Sequence, residues 1–133
     1  MMAPWHLWLV GVLGALWNGF GCYIYTMAMT RDPEIMASAP PEMVAAFEEA
    51  PAWSNGAWAL GVWGGLAGSL LLLARSRFAL HSFAISLLGL IGTTTYEMNW
   101  DVPVDEVQRL AIWAAALVLL GYSWIMRKRG LLR

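Results

Sequence analysis

Along the chain four long apolar runs alternate with two acidic connectors and one short basic turn, and this pattern alone predicts the architecture. The second run is the clearest, since positions 52–74 carry no charge, Pro51 precedes them and Arg75 and Arg77 follow. A helix rises about 1.5 Å per residue, so roughly 20 residues cross a hydrocarbon core about 30 Å thick. The run therefore reads as a membrane-spanning helix. The first run, 5–29, holds only Asn18 and a few hydroxyls as strongly polar members, and the third, 78–98, meets Glu97 near its far end. The fourth, 107–126, reaches spanning length by including Val107 and Arg109, whose apolar stem can carry its charge to the membrane surface.

The first connector, 31–50, gathers Asp32, Glu34, Glu42, Glu48 and Glu49 around Pro33, Pro40 and Pro41. Proline fits the first turn of a helix, so Pro41 is expected to open a short helix that Pro51 ends. Met43, Val44 and Phe47 share its apolar face at helical spacing. That face can rest on the protein's own outer ends, or serve as an outer docking or gating face. Arg75-Ser76-Arg77 allows only a tight turn, which makes the second and third spans antiparallel neighbours. The second connector adds Asp101, Asp105 and Glu106, and the chain finishes in Arg127-Lys128-Arg129 and Arg133. The predicted fold is all-α: one membrane-embedded four-helix bundle with a short amphipathic outer helix between spans 1 and 2.

Composition agrees, with 59% hydrophobic residues in 133. A net charge of −1 gives no field for nucleic acid. Distribution matters more than the sum. Of the eight basic residues, Arg75, Arg77, Arg127, Lys128, Arg129 and Arg133 fall on one side of a four-span layout, and only Arg31 and Arg109 on the other. The positive-inside rule then places both termini in the cytoplasm. Trp5, Trp8 and Trp124 are expected in the inner aromatic belt, and Trp53, Trp100, Tyr25 and Tyr96 in the outer one, with Trp17, Trp63 and Trp113 nearer mid-depth. The first run is expected to be kept rather than cleaved as a signal peptide, because no Lys or Arg precedes it and it exceeds a signal's apolar core.

Small and polar residues supply the candidate chemistry. On the second span Gly61 and Gly65, and likewise Gly64 and Gly68, recur four residues apart, a spacing that lets helix backbones approach closely in lipid. They are expected to pack helices, and leave a homo-oligomer or a larger membrane complex open. Gly11, Gly14, Asn18, Gly21 and Tyr25 form one face of the first span, and Ser82, Ser86, Gly89, Thr93 and Glu97 one face of the third. If these stripes face one another they line an interior with Asn18, Tyr25, Thr93 and Glu97. Such groups either bridge helices or mark a pathway. Glu97 reaches water or pairs with Arg109 or Arg31.

No enzyme constellation emerges. Cys22 is the single cysteine and reads as a small buried residue. His6 and His81 stand near span ends without further ligands, so no metal or cofactor is expected. The glycines follow helix-packing spacing rather than that of a phosphate-binding loop.

Pro51-Ala52-Trp53, the stretch 61–73, Arg75-Ser76-Arg77, Phe78-Ala79 and 83–89 resemble an uncharacterised family of small bacterial four-helix integral membrane proteins. Leu16-Trp17-Asn18, Met29-Thr30 and 43–47 fit the same pattern. The resemblance covers the first three spans, and it implies a polytopic helical fold without assigned site residues. Some members carry an automatic "sugar transporter" label. The reading that follows is a non-enzymatic membrane protein acting as an accessory or interaction subunit, its partners the lipid bilayer and other membrane proteins. A small-solute, sugar-like transporter, or a protein that binds a lipid or quinone, are the alternatives.

Overall fold

A computed structural model describes residues 4–99 and 105–132. Its helices are α1 (Trp5–Met29), α2 (Pro33–Ser38), α3 (Pro41–Glu49), α4 (Ala52–Leu73), α5 (Ala79–Asn99) and α6 (Glu106–Lys128). Helix starts follow the prolines and acids: Pro33 and Pro41 occupy first turns, Pro51 precedes α4, and Asp32 and Asp105 accept hydrogen bonds from Ile35 N and Val107 N. The short α2 is an addition to the sequence reading, and it exists because Asp32 caps a turn that Pro33 starts. Trp100, Asp101 and the rest of 100–104, expected in the outer belt and the acidic connector, lie outside the described residues, as does Arg133.

Three helix ends are closed in the same way. After α1 the N–H groups of Arg31 and Asp32 return to the carbonyls of Ala28 and Met27. After α4 those of Arg75 and Ser76 return to Leu72 and Leu71, and after α6 those of Gly130 and Leu131 return to Arg127 and Met126. The turning residue has positive φ each time, 55° at Arg31, 57° at Arg75 and 75° at Gly130.

α1, α4, α5 and α6 are long and apolar enough to cross a membrane. Leu16, Leu88, Leu110 and Val118 point outward from them, exposed, as lipid-facing residues are and as a water-soluble surface of this extent would not be. The chain is a multi-pass helical membrane protein, folded as a four-helix bundle. One end is acidic, where α2 and α3 sit, and the other basic, where Arg75 Nε donates to Leu131 O at 3.0 Å.

The long helices form an arc. α1 packs on α4, α4 on α5, and α5 on α6. The tightest crossing is α4 with α5, where a methyl group added at Gly89 would come within 2.5 Å of Ala57 O and Gly61 N. Ser82 and Ser86 seal it by donating to Gly64 O at 2.7 Å and Gly61 O at 2.6 Å. Gly68 faces the ring of Phe83, and Gly65 lies under Asn18. Gly61, Gly64, Gly65 and Gly68 of α4 thus serve contacts within this chain.

The polar stripes of the first and third spans do not pack on each other directly. Gly11, Gly14 and Gly21 lie against Leu73, Ser69 and Val62 of α4, and Gly89 and Ser86 lie against its opposite flank. α4 runs between them, because its own small residues accept a neighbour on both sides. At the basic end Leu7, Leu72, Ala79, Phe83, Leu119 and Met126 form the core, and Leu131 and Leu132 fold back into it after the turn at Gly130.

Candidate functional site

The acidic half of the arc encloses a cavity of about 660 Å³, within the roughly 300–1,000 Å³ typical of small-molecule sites. Its origin is a shortage of side-chain volume. Gly21 of α1, Gly65 of α4 and Ala115 and Ala116 of α6 line it, and none can reach across. α1 and α6 meet toward the basic end, where His6 Nδ1 hydrogen-bonds Tyr122 and Leu119 abuts Gly14. Beyond that point they do not pack on one another, and the space between them is the cavity.

It reaches the surface on the lipid-facing side. Trp17 and Phe20 line the cavity yet remain 46% and 65% exposed, so the void reaches the surface of the bundle at their level. Its floor is Phe83 and Leu119, which also belong to the packed basic-end core. The cavity is therefore closed toward the basic end, while at the acidic end Gln108 lines it and is exposed.

α3 supplies the roof. Met43, Val44 and Phe47 do share a face, and that face lines the cavity. The reason is local: Trp58 stands beneath, with the rings of Phe47 and Tyr25 edge-on to it at 6.2 and 5.1 Å. The apolar side of an amphipathic helix takes the apolar surface nearest to it. Tyr96 ties the roof down by donating to Ala46 O at 2.9 Å, and Arg31 bridges to Glu48 at 3.1 Å on the exposed rim.

Polar groups gather on one wall. Arg109 reaches Glu97 at 3.4 Å and Glu106 at 2.9 Å. The first pair is sheltered, with side chains 18% and 20% exposed, and both residues line the cavity beside Thr93, Thr94 and Gln108. The guanidinium Nε is buried and has no hydrogen-bond partner among the described residues. Below this wall Trp113 Nε1 donates to Thr94 Oγ1 at 3.1 Å and holds α6 to α5.

Of the residues singled out from sequence, Asn18, Thr93 and Glu97 line this one cavity, brought together around α4. Asn18 is partly engaged, since its Nδ2 donates to Gly14 O at 2.9 Å. Tyr25 stands behind Trp58 as its ring partner. Sequence reasoning missed Trp58, and it gave Arg109 no role beyond a charge at the membrane surface or a partner for Glu97. Asn55, Trp58, Val62 and Gly65 recur at helical spacing and all line the cavity, which was the available signal.

Chemically the site offers apolar and aromatic walls with one charged, donor-bearing patch. Such an arrangement can hold the body of an apolar molecule and orient a polar head. Comparison with family models, curated proteins and solved structures finds no match for this chain.

Proposed function

We propose that this chain is a non-enzymatic protein of a bacterial inner membrane that takes an apolar or amphiphilic small molecule from the bilayer into the cavity between α1 and α6. The observation that carries the reading is a void closed toward the basic end that reaches the lipid-facing surface at Trp17 and Phe20. Among the described residues the cavity's one charged pair, Glu97 with Arg109, is engaged with itself, which supports binding over catalysis. The positive-inside rule supports cytoplasmic termini, with the roofed end on the outer side. Kinship with the small bacterial four-helix proteins stays part of this proposal, on the residues that resemble them.

The other two roles draw less support. The glycines of α4 that suggested an accessory subunit are occupied by α1 and α5. A carrier of polar solutes would need a route through the basic-end core, which Leu131 and Leu132 fill.

The test is to narrow the void. Ala116→Phe projects a ring into the cavity from α6. Protein purified in mild detergent is extracted and its bound small molecules measured by mass spectrometry. An amphiphile enriched in the unaltered chain and depleted in Ala116→Phe supports binding, and equal content in both refutes it.

A further inference from the structure

We infer that the occupant of this cavity is a neutral, single-tailed amphiphile whose head offers a carbonyl oxygen to Arg109, an inference that rests on the binding role proposed above. The donor is the first argument. Arg109 uses Nη1 on Glu106 and Nη2 on Glu97, while its Nε is buried with no partner among the described residues. Arginine accepts nothing and offers five N–H donors in a rigid fork. A buried donor left unmatched is costly, so an acceptor that arrives with the ligand is favoured.

Charge selects the kind of acceptor. The guanidinium already pairs with two carboxylates, one sheltered and one exposed, so its charge is matched and a carboxylate or phosphate head finds no spare cation, while Glu97 nearby opposes it. A cationic head would approach the carboxylates, but it has no oxygen for Nε and must sit beside Arg109. A carbonyl satisfies the donor without either conflict. Thr93 and Gln108 line the same wall and add neutral hydrogen-bonding capacity.

Shape sets the tail. About 660 Å³ suits a drug-sized body rather than a whole two-chain bilayer lipid. The tail lies along Gly21, Ala115 and Ala116 toward Phe83, with Trp17 and Trp58 as aromatic walls. Its entry is the lipid-facing mouth beside Phe20.

The experiment uses four brominated dodecyl probes that differ only in the head: a methyl ester, a carboxylate, a trimethylammonium and a plain alkane. Bromine quenches tryptophan fluorescence on contact, and Trp17 and Trp58 report occupancy. In mild detergent, quenching by the ester is expected to saturate at about tenfold lower concentration than with the other three, the gain of one good hydrogen bond. Arg109→Lys keeps the charge and removes the fork, and is expected to reduce that advantage to about threefold or less. Equal saturation by all four probes in the unaltered protein, or tighter binding of the carboxylate or ammonium, overturns the head-group inference and leaves binding itself standing. Absence of saturable quenching with every probe, or quenching undiminished in Ala116→Phe, overturns the binding role. The unaltered protein decides between heads even where Arg109→Lys fails to fold.

Discussion

Tyr96 donates its hydroxyl to the carbonyl of Ala46 at 2.9 Å, so the residue next to Glu97 holds the roof while Glu97 holds the wall. Two successive positions of α5 thereby couple α3 and α6 to the same helix. Tyr96→Phe deletes only the oxygen, and a hydrogen bond of this kind contributes about 1 kcal/mol. Amide exchange in α3 is expected to speed up about fivefold while exchange in α4 stays unchanged. Uniform acceleration along the chain would show that the bond supports the whole bundle instead of the roof.

Glu97 and Glu106 both contact Arg109, but from different surroundings. Glu97 is sheltered and Glu106 is 72% exposed. Glu97→Gln is expected to lower stability in detergent by about 1–2 kcal/mol, because a charged bond in a protected place is lost. Glu106→Gln is expected to cost about 0–1 kcal/mol, as exposed pairs do. Thermal unfolding of the two variants side by side checks the ranking.

Gly89 is wedged against the backbone of α4, whereas a methyl group at Gly19 would meet nothing within 4 Å. Gly89→Ala must push the two helices apart and is expected to destabilise by about 1–3 kcal/mol. Gly19→Ala gains helix propensity and is expected to be neutral or stabilising by up to about 1 kcal/mol. Equilibrium unfolding of both separates steric cost from propensity.

Ser123 is fully buried, and its hydroxyl has no partner among the described residues. Ser123→Ala removes an unmatched polar group at almost no change in volume. It is expected to raise stability by about 1 kcal/mol, read as an increase in melting temperature. A decrease would reveal a partner for the hydroxyl in the folded protein.

The spans were legible because length and lack of charge suffice to define them, and α1, α4, α5 and α6 start and stop within two residues of the apolar runs. The arrangement of the helices was harder to read. Stripes on the first and third spans indicate which faces avoid lipid, but not what they meet, and the glycines of α4 admit a neighbour on either flank. Only packing decides that Gly65 takes Asn18 and Gly64 takes Ser86. The cavity left even less trace, since a void is made of missing atoms, and Gly21, Ala115 and Ala116 read as ordinary apolar positions. Glu97 was visible because one carboxylate in an apolar run stands out. Arg109 was harder to weigh, since at the edge of a span it looks like a surface anchor until its contacts are known.

Because the long helices follow an arc in chain order, each one rests on the span made just before it, α4 on α1, α5 on α4 and α6 on α5. During membrane insertion every newcomer finds its main neighbour already in place, and only the basic-end contacts of α1 and α4 with α6 and the tail wait for the last segment. Local contacts of this kind favour fast assembly. What remains between the earliest and latest arrivals is the chamber, a by-product of the order of synthesis that a guest from the surrounding oil can complete.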